Sequence, residues 1–554
     1  MIAVLTKEAQ RPAVKEFFEL FKTPWEYHRP GNEYDVLLCC GTEAIDSSAR
    51  LVLAYSAERQ LYDENNGIQI KAQQPGGFVG YKEESIPIYG NRVTLSGKGV
   101  TVLRDNATQE TAALVIASNR QTFVRIGFDL FEETRVSLTR GQPAKNSAIP
   151  TLELHIAFLR NLIVTFSTFL VEVPPVPANY SFMVCLTHDV DHVAVRDHKW
   201  DHTTFGFLYR ATIGSLIDAC RGRKSTQHLR ANWVAALSLP LVHLGLVKDF
   251  WNQFDRYLEI EKGLTSTFFV VPTKGDPGQD ANGFSRRKRA VAYDLSEIAT
   301  LLSNLREANR EIGLHGIDAW RDVQKARAEL EKIKLATSAP GVGVRMHWLY
   351  FDEQTHGILE EAGFVYDSTV GYNETIGYRA GTTQVFKPLD VKKLLELPLH
   401  IMDTAIFFPA YLDLAPEEVG TAIGPLFENM ARFGGVLTVN WHDRSIGPER
   451  FWDSAYVNLL QRARREGAWF PTAAQAVSWF QRRRSTTIEN IAQDGDTLRI
   501  KVSVGEGEND RLPGLRLRVH KNCGQTVDSL LPLKTKALSI DTTFNHSELL
   551  SVRL

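Results

Sequence analysis

Thr187-His188-Asp189-Val190-Asp191-His192 follows directly on the apolar run Phe182-Met183-Val184-Cys185-Leu186, and its reading decides the fold. The apolar run has the length and composition of a buried strand. Two carboxylates and two imidazoles then crowd its C-terminal end. Parallel α/β folds place their chemistry at such strand ends. Asp189 and Asp191 are two residues apart, so on an extended strand they face the same way. One can then bind a metal while the other takes a proton. The alternative is a polar loop with capping aspartates.

Outward from this strand, residues 178–484 alternate strand and helix signals. Strand-like segments are Phe182–Leu186, Ser266–Val271, Ile312–Leu314, Gly341–Arg345, Leu395–Pro398 and Val436–Asn440. Helical patterns lie between them at Leu295–Ala308, with Asp294 or Ser296 as cap, and Ala326–Leu335. Such alternation implies a parallel sheet or barrel. The stretch Val193–Val247 is long for a connection and reads as a helical insertion that borders the site or meets a partner.

The chain's 554 residues exceed what one core supports, so several domains are expected. Pro174-Pro175-Val176-Pro177 marks the first boundary and Arg482-Arg483-Arg484 the second. The first region, 1–177, reads as mixed α/β, with a helix at Ala13–Phe21 and strands at Tyr34–Cys40, Val100–Leu103 and Ala112–Ala117. The third, 485–554, reads as a small antiparallel β domain. Its alternating strands are Thr497–Val504 and Gly514–Val519, joined through a turn at Gly505–Asp510.

A composition of 44% hydrophobic and 23% charged residues is that of a soluble globular protein. The formal net charge of -2 provides no basic field for nucleic acid. The N-terminus has no secretory-signal pattern. The apolar stretch Leu152–Val171 is interrupted by Glu153, His155, Arg160 and Asn161, so no transmembrane segment is expected. The expected location is the cytoplasm, with peripheral membrane contact left open. The five cysteines show no metal-knuckle spacing, and Cys39-Cys40 reads as buried thiols.

Four strand ends of the middle region carry polar groups: Asp189/Asp191, His315, Arg345/His347 and His442. Their convergence on one face is what a hydrolytic metal site needs. Each also has a structural reading. Asp189 can cap a loop, Asp191 can pair with an arginine, Arg345 can be an ion-pair partner, and His442 can bond backbone only.

In the order of these pieces, the middle region resembles the polysaccharide deacetylases of carbohydrate esterase family 4. Thr187-His188-Asp189-Val190-Asp191 resembles the first motif, in a variant with one residue between the acids. Thr267-Phe268-Phe269 is similar to the second strand. His315 matches the first histidine of the second motif, Arg345 the arginine of the third, and Leu437–His442 the final motif. Tyr366–Tyr372 and Gly377–Gly381 are similar to a bacterial subgroup with an extra N-terminal domain. The resemblance implies an α/β fold, a distorted (β/α)7-type deacetylase barrel flanked by the N-terminal α/β domain and the C-terminal β domain.

It further implies a divalent metal (zinc, with cobalt, nickel or manganese as the others) held by Asp191 and His315. Asp189 would be the general base, Arg345 its charge partner and His442 the general acid. The usual second histidine of the second motif is replaced by Ala319. The third ligand must then come from His347, Asp318 or His192. The aspartate of the fourth motif has only Asp403 as a stand-in. Tyr350, Trp348 and Trp441 stack on sugar rings or belong to the core. The implied activity is removal of acetyl groups from an N- or O-acetylated glycan or glycan precursor. The other readings are hydrolysis of a non-sugar amide, and a non-catalytic glycan-binding or scaffolding member, which Ala319 favours.

Overall fold

The computed structural model of the chain describes residues 1–41, 48–118, 120–166, 169–199, 201–505, 511–522, 526, 530–533 and 538–553. Strand Phe182–Val190 is the middle element, and all nine of its residues are buried. Its apolar run continues through Thr187 and His188 because parallel neighbours cover both sides. Thr267–Val270 pairs along one edge and Val436–Asn440 along the other. Both faces are packed, so the strand does not alternate apolar and polar residues.

The sheet runs Leu395–Glu396, Tyr366–Asp367, Val344–Met346, Glu311–Gly316, Thr267–Val270, Phe182–Val190, Val436–Asn440, Ile401–Met402. Every pair in it is parallel. Ala468–Trp469 adds beside the start of Phe182–Val190. Among the described residues no ladder joins the two ends, so the strands form an open half-barrel. Gly343 shows how tightly it is filled: a Cβ there would lie 1.9 Å from the Tyr366 ring. The absent side chain lets Tyr366 lie across the interior and donate to Glu311 Oε1 at 2.7 Å.

The expected helix at 295–308 starts later, as Ala299–Glu307. Asp294 Oδ1 accepts from the Ser296 amide and hydroxyl, which holds 294–296 in a turn rather than capping the helix. The insertion after the central strand is helical, with helices His202–Tyr209, Ser215–Cys220 and Thr226–His243 and a π turn at Arg210–Gly214. Its inner face packs Phe207, Ala235, Leu239 and Val242 on Trp251.

The N-terminal region holds a nine-stranded sheet. Five strands are parallel, from Trp25–Tyr27 through Ile2–Thr6, Val36–Cys40 and Leu51–Tyr55 to Thr122–Ile126. Antiparallel strands Thr111–Ala117, Glu84–Ser96, Gln69–Tyr81 and Val100–Asp105 extend it. Helices Arg11–Phe21, Leu130–Thr139 and Thr151–Phe166 cover it. Cys39 and Cys40 are buried, and Cys523 lies outside the described residues.

The C-terminal strands do not form the expected hairpin. Thr497–Ser503 pairs with Thr487–Asp494 and Glu548–Arg553, whereas Leu515–Lys521 pairs with Ser539–Phe544 and with Phe169–Glu172. Two three-stranded sheets result, sharing one apolar core. Their alternation reflects one buried face per sheet, not pairing with each other. Most of the expected turn, residues 506–510, lies outside the described residues.

The arginine run reads differently in three dimensions. Arg483 is 1% exposed. It donates to Val173 O at 2.8 Å, Leu20 O at 2.9 Å, Glu19 O at 3.0 Å and Gln384 Oε1 at 3.1 Å. Arg484 forks onto Glu16 at 2.7 and 2.8 Å. One helix, Ala473–Ser485, thus clasps the N-terminal helix to the half-barrel. Arg483→Met strands three buried carbonyls and an amide oxygen. It should cost about 3 kcal/mol or more, read as a lower urea midpoint. Arg484→Met should also destabilise, since it leaves the buried Glu16 carboxylate with only the Lys387 amide. Equal midpoints for Arg483→Met and wild type would contradict the clasp.

Candidate metal and catalytic centre

The central strand sorts its polar groups by face. His188 points away from Asp189, into a pocket of Tyr257 and Phe268 rings. There its nitrogens meet Glu261 Oε1 and Trp441 O, both at 2.8 Å. It is a structural histidine. His192 turns to His198, 3.0 Å away, while its amide donates to Asp443 Oδ2. His192 lines the cavity of the acids but bonds His198, and His188 lies on the other face.

The side chains that gather in that cavity are Asp191, His315 and His347. Asp191 Oδ1 stands 3.5 Å from His315 Nε2 and 3.6 Å from His347 Nε2. These gaps are too long for good hydrogen bonds. That oxygen is buried with no hydrogen-bond partner among the described residues. Donors about 2.0–2.2 Å from one ion at tetrahedral angles lie about 3.3–3.6 Å apart. The three atoms therefore fit a shared divalent cation. His315 Nδ1 bonds Arg345 O at 3.0 Å, which aims Nε2 at the common point. Of the three third-ligand candidates, His347 joins the cluster. Asp318 does not: it accepts from the Gln279 amide and pairs with Lys325. Ala319 is fully buried in the apolar core.

His347 is set by a feature invisible in the motif. The strand Val344–Met346 ends at it, and Trp348 and Leu349 then take left-handed φ of 65° and 53°. Such backbone costs about 1 kcal/mol or more per residue and needs support. Buried Arg289 provides it, donating to His347 O at 2.9 Å and Ile317 O at 2.7 Å. Its guanidinium also lies over the Tyr350 ring. Sequence reasoning missed Arg289, whose only signal is a basic cluster, Arg286–Arg289, between two strands.

Asp189, on the same face as Asp191, is only 3% exposed. Arg345 Nη1 reaches its Oδ1 at 3.1 Å and Asn440 Nδ2 reaches Oδ2 at 2.8 Å. Burial acts to raise its pKa, but His315, Arg345 and His442 outweigh this and hold it below the usual carboxylate range. Arg345 is itself fixed by Thr187 Oγ1, Ser368 Oγ and Ser368 O. Asp191 is likewise held well below the ordinary value, with His347, His315 and His442 overriding burial.

His442 follows the strand Val436–Asn440, and its Nε2 is 3.9 Å from Asp191 Oδ2. On its other side Nδ1 meets Asp403 Oδ1 at 2.6 Å, and its amide donates to Asp403 Oδ2 at 2.7 Å. Burial opposes its charge, but Asp403 and the two site aspartates push its pKa up to about 9. A cation between the ligands would act against that rise. Asp403, a mere stand-in by sequence, is the residue that orients His442.

Asp189, Asp191, His315, His347 and His442 open into one cavity of about 380 Å³, whose wall includes Trp348, Tyr350, Phe408 and Tyr411. Trp441 is not in it; that ring is fully buried against Tyr456.

No family model and no curated protein matches the chain. Among solved structures, 21 chains match. A protein from Mycobacterium smegmatis described as a polysaccharide deacetylase is 17% identical, with TM-score 0.33, covering 56% of this chain and 95% of its own. A family 4 carbohydrate-esterase pseudoenzyme from Bacillus anthracis is 13% identical, with TM-score 0.26, covering 55% of this chain and 68% of its own. A family 4 carbohydrate esterase from Streptomyces lividans, in complex with acetate, is 10% identical, with TM-score 0.24, covering 53% and 93%. These neighbours belong to the family that the middle region resembles. At such scores the likeness carries no argument about activity, which has to be read from the residues.

Two measurements check the centre. Asp191→Ala and His315→Ala should each lower the zinc bound per chain by one equivalent, measured by elemental analysis after loading and dialysis. Arg289→Met, which frees the His347 turn, should weaken binding at this centre about 10–100-fold in a competitive chelator titration. Unchanged affinity would show that the turn holds without it.

Proposed function

We propose that this chain is a metal-dependent hydrolase that removes acetyl groups from an N- or O-acetylated glycan or glycan precursor. The observation that carries this reading is the meeting of Asp191, His315 and His347 around a point flanked by Asp189 and His442. Three protein donors leave coordination positions for water and substrate. A divalent cation held there, zinc first among the candidates, would polarise an acyl carbonyl and acidify water.

The chain's own groups divide the proton work. Asp189 stays ionised in a buried setting, so it can take a proton from water. Arg345 and Asn440 hold each of its oxygens and leave it no freedom to turn away. His442, kept protonated through Asp403, can give a proton to the departing amine or alcohol. A base and an acid whose surroundings push their pKa values apart are what acyl transfer at neutral pH needs.

The cavity supports a sugar over a small cyclic amide. Trp348 and Tyr411 are 36% and 40% exposed at its wall, so flat apolar faces are available to a sugar ring. In this proposal the half-barrel is the deacetylase-type barrel and the outer regions are attached domains. The cytoplasm remains the proposed location; no helix among the described residues is long and apolar enough to cross a membrane.

Acetate release from acetylated glycans and precursors by the zinc-loaded protein tests the reading. Asp189→Asn should lower kcat about 10²–10⁴-fold while zinc content stays within one-tenth of wild type. Asp403→Asn should lower kcat less, and shift the alkaline limb of the pH–rate profile to lower pH. That direction follows because Asp403 raises the His442 pKa and the acid must be protonated to act. Acetate release by Asp189→Asn at the wild-type rate would sink the assignment.

A further inference from the structure

A second cluster lies outside the cavity, between the sheet and the helix Thr355–Ala362. Asp367 and Glu396 stand opposite one another on neighbouring parallel strands. On its strand Asp367 lies between Tyr366 and Ser368, whose side chains turn inward to Glu311 and Arg345. Asp367 therefore faces the helix layer, and His356 comes down from that helix to meet it.

Both carboxyls are fully buried. Each spends one oxygen on a local bond: Asp367 Oδ1 accepts from Thr369 Oγ1, and Glu396 Oε1 from the Val370 amide. The other oxygens, Asp367 Oδ2 and Glu396 Oε2, receive no N–H or O–H among the described residues, and His356 Nε2 is equally unused. His356 Nε2 is 3.7 Å from Asp367 Oδ2 and 3.6 Å from Glu396 Oε2. An imidazole that simply donated to a carboxylate would close to about 2.8 Å. The separations instead match those among Asp191, His315 and His347.

Charge leads to the same place. Two buried carboxylates side by side cannot both ionise without a counter-charge. Burial raises both, Glu396 to about 7, and the Glu396 charge raises Asp367 further. Arg345, whose charge acts on Glu396, is already fixed on Asp189 and Ser368.

We propose that His356, Asp367 and Glu396 form a second, structural site for a divalent transition-metal ion. One nitrogen and two carboxylate oxygens suit zinc or manganese. The site is closed, so the ion would pin the helix Thr355–Ala362 to the strand whose next residue, Ser368, holds Arg345. This inference does not rest on the proposed reaction.

The test removes the first centre and asks what stays. Full-length Asp191→Ala/His315→Ala protein is incubated with zinc chloride, or separately manganese chloride, dialysed and analysed for metal. About one equivalent per chain should remain, and adding Asp367→Asn/Glu396→Gln should bring it to background. X-ray absorption on the Asp191→Ala/His315→Ala protein needs no further variant: it should show one imidazole nitrogen with oxygens. No retained metal in a protein with wild-type circular dichroism would overturn the site and leave the two carboxyls sharing a proton. A shell without imidazole would overturn it equally.

A different observation carries a second inference. The outer face of the insertion exposes Phe205, Tyr209, Trp233, Val234, Leu237 and Leu244, with Leu237 79% and Leu244 71% exposed. Scattered apolar residues are ordinary, but a contiguous apolar helical face is not. Residues 201–248 carry six Lys or Arg against two Asp, in a chain of net charge -2. Arg221 and Arg230 are exposed on the same insertion. We infer that this face seats on an anionic lipid bilayer, apolar side chains in the headgroup–acyl boundary and basic ones at the phosphates.

The insertion adjoins the cavity: its Arg210 pairs with Glu449 next to Arg450 of the cavity wall, and its Phe207 packs on Trp251, over which Arg444 of that wall lies. A seated insertion would thus bring the cavity to the membrane surface. Sedimentation with vesicles tests this. The protein should bind phosphatidylglycerol/phosphatidylcholine vesicles at least tenfold better than phosphatidylcholine alone, and Leu237→Glu/Leu244→Glu should abolish the difference. No binding to the anionic vesicles would overturn it, as would a dimer in light scattering that the same substitutions dissociate.

Discussion

A carboxylate at the centre of a filled parallel sheet must be compensated where it stands, and the centre is organised around that need. Asp189 is bonded on one oxygen by Arg345 and on the other by Asn440. Removing either partner would leave a buried charge unmet, a cost of several kcal/mol. Arg345 is in turn fixed by groups from the central strand and from Ser368 two strands further along the sheet from His315. The ion pair therefore ties together strands distant in sequence and sets the frame in which the imidazoles converge.

The two aspartates share a face but not an environment. Asp189 is enclosed by fixed donors and keeps its charge as a base would. Asp191 meets only imidazoles at distances that leave room for an ion. The difference arises from two residues of rise along one strand. Asp189 ends within the ladder and Asp191 just past it, where the sheet gives way to the cavity. His442 completes the division, because Asp403 holds its far nitrogen and fixes which atom faces the site.

Much of this was legible in the sequence. Apolar runs ending in Asp, His or Arg marked the parallel strands, because strands covered on both faces have no other pattern. Asp189, Asp191, His315, Arg345 and His442 were identifiable by their order at strand ends, and the structure brings their side chains together. His347 was one of three candidates, because spacing alone cannot show that Trp348 and Leu349 reverse the backbone. Arg289, Asp403 and the His356–Asp367–Glu396 cluster depend on contacts between remote segments, and nothing local signals them. The C-terminal strands were visible as strands. Their partners were not, since alternation reports a buried face and is silent about which edge is paired.

The central claim is that Asp191, His315 and His347 hold one metal ion beside Asp189. A crystal structure of the zinc-loaded protein, with anomalous diffraction collected at the zinc edge, tests it most directly. A peak is expected about 2.0–2.2 Å from Asp191 Oδ1, His315 Nε2 and His347 Nε2, with Asp189 still bonded to Arg345. A zinc-soaked crystal with no peak between these three side chains, or with the His347 ring turned out of the cavity, would contradict it.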